Sequence, residues 1–109
     1  MSDENKAAEE KAKAAEHVEK DRVHAVMSTA LGRAFLMSVI FDDAGVLAGS
    51  FVPGDALAGA FNEGRRAIGC MLLARLDRLE PSLLAVAYKE HSDAVIRARD
   101  MTDKQEDAQ

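Results

Sequence analysis

The chain has 109 residues, of which 48% are hydrophobic, and this size supports one domain with a modest core. Its 14 basic and 19 acidic residues give a net charge of -5, which argues against a broad nucleic-acid-binding surface because phosphate repels a protein of its own sign. The single cysteine excludes an internal disulfide, and the longest apolar run, residues 34–41, is far shorter than the roughly 20 residues that span a bilayer.

The two ends of the chain differ in composition from its middle. Residues 1–20 are mainly Ala, Glu and Lys, which favour a helix, and only Val18 offers a side chain to bury. We therefore predict a solvated, fraying helical arm; the alternative is an arm that orders against a partner. A core domain is predicted over residues 21–99, and a disordered acidic tail over residues 100–109.

The core segment is predicted to contain a helix that begins after a polar break. Ser28 and Thr29 can supply N-cap oxygens to a helix that starts at Ala30 and ends near Ala44, where Gly45 can adopt the left-handed C-cap conformation. The apolar stripe expected to face the core contains Leu31, Phe35, Val39 and Ile40, with Leu36 beside them.

A packed loop is predicted over residues 46–54. Its helix-breaking residues are Gly49, Ser50, Pro53 and Gly54. Its apolar residues, expected to hold the loop on the core, are Val46, Leu47, Phe51 and Val52.

The central helix is predicted from an N-cap at Asp55 to about Glu80. Its apolar stripe contains Leu57, Phe61, Gly64, Ile68, Leu72, Leu76 and Leu79. Pro81 is compatible with the first turn of a last helix, which is expected to return antiparallel to the central one with Leu84, Tyr88, His91 and Val95 on one face. With no alternating strand pattern, the predicted fold class is all-α: a small helical bundle with a long central helix, an antiparallel C-terminal helix and a solvated charged N-terminal helix.

Gly64 lies inside the predicted central helix, where a glycine is less favourable than an alanine by roughly 1 kcal/mol. It belongs to a line of mostly small side chains: Ala56, Ala60, Gly64, Ala67, Met71 and Ala74. Such a line lets a neighbouring helix approach closely, and we predict that Gly64 provides that clearance, while Gly59 and Gly69 could serve a second contact.

The charged residues beside Gly64 allow two interpretations. Glu63 and Arg66 can form a surface pair on one helix. Alternatively, Glu63 or an arginine is partly buried against Arg33 or Asp42 and fixes how two helices or two subunits dock. The sequence alone leaves both interpretations open.

No residue pattern indicates catalysis. The three histidines, His17, His24 and His91, are far apart, and Cys70 has no histidine close to it in sequence. There is no zinc spacing, phosphate loop or dinucleotide fingerprint. We therefore expect no enzymatic activity, no catalytic residue, no metal site and no cofactor.

Several separated blocks of the chain form one pattern: residues 28–36, which include Gly32-Arg33 ahead of Phe35-Leu36, then Gly45-Val46, Ser50-Phe51, and Phe61-Asn62-Glu63-Gly64-Arg65-Arg66. Together these blocks resemble a family of small proteins from tailed bacteriophages, typified by a Bordetella phage member. Where many members have Pro-Glu before Gly-Arg, this chain has Ala30-Leu31. The resemblance implies a phage origin, an all-helical fold, a role in the virion or its assembly, and no enzymatic activity. The candidate interaction residues are Gly32, Arg33, Phe35, Phe51, Phe61, Asn62, Glu63, Gly64, Arg65 and Arg66.

Two functional classes follow. The first is a structural or adaptor protein, in the host cytoplasm during assembly or in the phage particle, which packs helices against itself as a homo-oligomer or against a portal, capsid or ejected protein. The second is a DNA-binding or packaging-regulatory protein that uses Arg65, Arg66, Arg75 and Arg78 as a phosphate-binding stripe. Charge favours the first class, because residues 28–90 contain six basic and seven acidic residues.

Overall fold

The computed structural model describes residues 2–108, which fold as an all-α chain without strands. The helices are α1 (Asp3–Met27), α2 (Ala30–Ser38), α3 (Ala56–Leu79) and α4 (Pro81–Asp107). A wider π-helical turn, Val39–Asp43, continues directly from α2. The predicted all-α class with a long central helix is confirmed.

The predicted helix starts are confirmed by their caps. Thr29 Oγ1 accepts a hydrogen bond from the Gly32 amide at 3.0 Å, and Asp55 Oδ1 accepts one from the Ala58 amide at 2.9 Å. Pro81 occupies the first position of α4, where its missing amide hydrogen has no carbonyl partner to lose. Gly45 follows the π-helical turn with a φ of 64°, as its predicted left-handed role requires.

The core lies where the end of α1, α2 with its π-helical turn, the second half of α3 and the first half of α4 meet. Its buried members are Met27, Met37, Ile40, Leu76, Leu84 and Ala87. Helix α4 packs against both α2 and α3. A single small cluster therefore holds all four helices.

The prediction that Leu31 and Phe35 of α2 face the core is wrong. Leu31 is 85% exposed and Phe35 is 64% exposed, whereas Met37 is buried. The rotation of α2 is fixed at Gly32, because a Cβ at this position would overlap the carbonyl oxygen of Val26 at the end of α1. The face that carries Gly32 and, one and two turns later, Leu36 and Ile40 therefore turns inward, and Leu31 and Phe35 turn out.

The chain is extended and flat. Its radius of gyration is 19.3 Å, with principal extents of 73 × 39 × 15 Å, whereas a compact domain of this length has a radius of about 13 Å. Its accessible surface is 8074 Å², against about 5,900 Å² expected for a compact monomer of this mass. The molecule therefore presents much more surface than its small core requires.

The first and last stretches of residues 2–108 project from the core as helices. Every side chain of residues 2–18 and 92–108 is exposed. Helix α4 continues through Asp107, beyond residue 99, where the predicted core domain ended. Within residues 2–108 no single helix is long and apolar enough to cross a membrane, and α1 and the α2 segment pass that test only when joined across a 100° bend.

Candidate interaction surface on helix α3

One face of α3 carries a line of apolar residues that no other part of residues 2–108 covers. Their spacing alternates between four and three residues, which keeps them on one side of a helix. We call this line the α3 seam; it consists of Leu57, Phe61, Gly64, Ile68 and Met71, and its four large side chains are 85%, 71%, 65% and 66% exposed in that order. The predicted core stripe is therefore wrong for this part of α3 and holds for Leu76 and Leu79, which are buried.

A different face of α3, which carries Gly69, packs against the segment that follows the π-helical turn. A Cβ placed on Gly69 would lie 2.5 Å from Val46 Cγ2 and 2.7 Å from Ala44 Cβ. Gly69 is therefore the glycine that permits close packing within the chain. Gly64 has no atom within 4 Å of its added Cβ, so no helix of residues 2–108 fills the clearance predicted there.

Of the two interpretations of the charged residues beside the seam, the structure matches the surface pair of Glu63 with Arg66. Arg66 Nε lies 3.3 Å from Glu63 Oε2 on the same helix, and both side chains are solvent-accessible. The Ser50 hydroxyl, followed by the Arg66 guanidinium, holds the pKa of Glu63 below its usual value. Glu63 therefore meets Ser50 and Arg66 rather than Arg33 or Asp42.

Arg65 turns away from the seam. Its Nη2 atom lies 3.5 Å from the position that a Cβ on Gly45 would occupy, which places the guanidinium over the Gly45 turn. Among residues 2–108 it forms no ion pair.

Arg33 is the partly buried arginine, and its partner lies on α4. Its side chain is 14% exposed, its Nε is 2.6 Å from Glu90 Oε1, and its Nη1 donates to the Met27 carbonyl oxygen at 2.9 Å. Arg33 thus joins α2, α4 and the end of α1. Sequence reasoning singled out Arg33 but missed Glu90, which lies 57 residues away and carries no local signal.

Ion pairs hold α1 against the end of α3. Arg75 Nε is 2.5 Å from Glu19 Oε1, and Arg78 Nη1 is 2.7 Å from Glu16 Oε1. The hydrogen bond from Arg75 holds the pKa of Glu19 below its usual value. Both arginines of the second half of α3 therefore already have carboxylate partners.

The ten predicted interaction residues do not share one environment. Gly32 and Arg33 lie at the junction of α1, α2 and α4, Phe35 is exposed on α2, and Phe51 is 82% exposed on the loop before α3. The remainder lie on α3, where Phe61 and Gly64 belong to the seam and Asn62, Glu63, Arg65 and Arg66 do not. Only two of the ten thus belong to the α3 seam.

A second apolar surface combines the predicted face of α4 with the loop, and sequence reasoning missed that the two lie side by side. The Phe41 ring stacks on His91 with centroids 4.6 Å apart and lies 6.2 Å from the Tyr88 ring. Beside these rings an open groove of about 630 Å³ runs between the loop and α4, past Leu47 and Ile96. In the sequence, the three-residue spacing of Tyr88 and His91 indicates that both rings lie on one face of α4. Among residues 2–108 no group of three or more His, Cys, Asp or Glu could hold a metal ion.

Comparison with known proteins identifies one family. The model of the family described as Bbp19-like phage protein matches residues 23–87, which include the core, the loop and the whole α3 seam. No curated protein and no solved structure matches the chain.

Proposed function

Because the chain belongs to the Bbp19-like phage protein family, we propose that it is a non-enzymatic virion component or assembly adaptor that acts by packing its helices against other protein subunits. The observation that carries this proposal is the α3 seam, in which four large apolar side chains are each 65% exposed or more. Contiguous apolar surface of this kind is typical of protein interaction sites.

The energy available at the seam supports docking. Burial of one large apolar side chain contributes roughly 1.5–3 kcal/mol, so these four side chains, each 65% exposed or more, offer roughly 4–9 kcal/mol. Association itself costs several kcal/mol, so the seam suits an interface that includes further contacts. Phe51 and Leu47, which are more than 80% exposed, are available on the same chain.

Three side chains suited to catalysis, His24, His91 and Cys70, lie in separate contacts and not in one site, which supports the non-enzymatic part of the proposal. His24 Nδ1 lies 3.0 Å from Glu80 Oε1, and His91 stacks on Phe41. Cys70 is half-buried and accepts a hydrogen bond from Arg66 at 3.5 Å.

The alternative, DNA binding through an arginine stripe, has less support. Arg66, Arg75 and Arg78 each have a carboxylate partner, so phosphate would have to displace Glu63, Glu19 or Glu16. A DNA-binding protein would retard duplex DNA and lose affinity steeply as salt rises. We expect no retardation of a random duplex at physiological salt.

Two mass-spectrometry measurements test the proposal. One quantifies the proteins of gradient-purified phage particles, and the other identifies cross-linked proteins in a lysate of infected cells treated with a chemical cross-linker. We expect the chain in particles at a constant ratio to portal or capsid subunits, or cross-linked to a phage structural protein in the lysate. Absence from the particles and from every such cross-link, together with retardation of DNA, would overturn the proposal in favour of DNA binding.

A further inference from the structure

We propose that the α3 seam binds the α3 seam of a second copy of this chain, with the two helices antiparallel. This inference rests on the proposed function, since it names the partner of the surface described there. The alternating four- and three-residue spacing from Leu57 to Met71 is a period of 3.5, the period at which one helix packs along another. The seam therefore fits a helix better than a loop or a strand.

The flank of the seam permits a close approach. Ala60, Ala67 and Ala74 recur at every seventh residue along one side of it, and all three are exposed. Helices whose contact positions carry small side chains can pack with their axes near the short end of the usual 8–10 Å range. Arg65, on the other side, lies over the Gly45 turn and leaves the seam clear.

The seam is complementary to itself when the second helix runs in the opposite direction. If the two-fold axis lies level with residue 66, Phe61 faces Met71 of the second copy and Gly64 faces Ile68 of the second copy. The open space over Gly64 then receives the side chain of Ile68, and the Phe61 ring meets a methionine sulfur, which is a favourable contact. Large residues thus oppose small or flexible ones along the seam.

A parallel pair would lack this complementarity. Each seam residue would face its own copy, so Gly64 would lie opposite Gly64 and leave a gap. One turn beyond the seam, Arg75 would face Arg75 and bring two like charges together. In the antiparallel pair, Arg75 instead comes beside Leu57 of the second copy, where its aliphatic stem can cover the leucine while its guanidinium stays with Glu19.

The surface of the single chain is consistent with such a pair. Its 8074 Å² exceeds the compact-monomer value of about 5,900 Å² by about 2,200 Å², of which the projecting ends of α1 and α4 contribute a part. A standard interface buries roughly 1,200–2,000 Å² in total. The chain therefore has enough surplus surface to bury a standard interface.

Sedimentation equilibrium of the full chain, with a matched pair of variants, tests self-association. Phe61 and Phe35 are both exposed helical phenylalanines, at 71% and 64%, but only Phe61 lies in the seam. We expect a dimer for the wild type and for Phe35→Glu, and for Phe61→Glu a dissociation constant raised roughly 100-fold or more, because dimerisation would bury an unpaired carboxylate. Unchanged helicity by circular dichroism shows that both variants are folded.

Cross-linking tests the orientation. In a Cys70→Ser background, Ala67→Cys places a thiol close to its own copy in the antiparallel pair, whereas thiols of Leu57→Cys lie about 27 Å apart along the axis. We expect a short bismaleimide to link Ala67→Cys and not Leu57→Cys. The reverse pattern would overturn the antiparallel arrangement.

Separate results would overturn self-association and the proposed function. A wild type that is monomeric at roughly 100 μM, where even a weak complex forms, would overturn self-association. If that monomer still cross-links to a phage structural protein and Phe61→Glu abolishes the link, the seam binds another protein and the proposed function stands.

Discussion

Two glycines of α3, Gly64 and Gly69, are expected to respond in opposite ways to alanine. At Gly64 an added methyl group meets open space, so Gly64→Ala is expected to stabilise the fold by about 1 kcal/mol, the difference in helix propensity between the two residues. At Gly69 the same methyl group would lie 2.5 Å from Val46 Cγ2 and 2.7 Å from Ala44 Cβ, whereas carbon atoms in contact are ordinarily about 3.5–4.0 Å apart.

The magnitude at Gly69 follows from these two overlaps. Val46 can rotate its methyl group, but the Ala44 Cβ moves only with the backbone after the π-helical turn. Overpacking of this kind typically costs about 1–3 kcal/mol, and the helix-propensity gain of about 1 kcal/mol offsets part of it. We therefore expect Gly69→Ala to destabilise the fold by about 0–2 kcal/mol, and the two variants to differ by about 1–3 kcal/mol.

Urea unfolding followed by circular dichroism measures this difference. The comparison belongs in a Phe61→Glu background, so that self-association does not contribute to the free energy of unfolding. Both midpoints are compared at an unchanged denaturant slope. A Gly69→Ala variant as stable as Gly64→Ala would show that the segment after the π-helical turn does not pack on α3 as described.

Three further predictions concern one helix cap and two ion pairs between helices. Arg33→Ala should lower the free energy of unfolding by about 1–3 kcal/mol, because it leaves Glu90 without its charged donor; urea unfolding measures this. Thr29→Ala should cost about 1 kcal/mol in the same assay, since the Gly32 amide loses its cap. Because Arg75 lowers the pKa of Glu19, the contribution of this pair is present above about pH 4.5 and lost as pH falls below it. The protection factors of α1 amides near Glu19, which are corrected for the intrinsic pH dependence of exchange, should therefore fall on acidification.

Two control variants test whether these effects come from the contacts named. Lys89→Ala removes an exposed pair with Asp93 and should change stability by less than about 0.5 kcal/mol, in contrast to Arg33→Ala. In Glu19→Gln, the protection factors of the same α1 amides should fall less over the same acidic pH range. An equal loss for Lys89→Ala and Arg33→Ala, or an unchanged pH response in Glu19→Gln, would contradict the corresponding argument.

The local features of the fold were predictable because their causes are local. Thr29, Asp55 and Pro81 each act within one helical turn, and Gly45 is constrained by its own backbone angle. The class and the helix starts therefore follow from short stretches of sequence.

The facing of the helices was not predictable in the same way. The alternating spacing of the α3 seam marks an apolar face, but nothing in that spacing says whether the covering helix belongs to the same chain or to another. The exposure of Phe61 follows instead from the loop occupying the Gly69 face, and that of Phe35 from the contact at Gly32. Such contacts between elements, like Arg33 with Glu90, leave no periodic trace in the sequence.

The ion pair between Glu16 and Arg78 is the outermost anchor that ties α1 to α3. The 13 helical residues before it, residues 3–15, are all exposed and extend about 20 Å further. The N-terminal stretch of the chain thus continues as helix up to Asp3. A gold particle or fluorophore attached near Asp3 would sit at a set offset from the α3 seam, and its position in an electron micrograph or an energy-transfer measurement would report the orientation of the whole subunit.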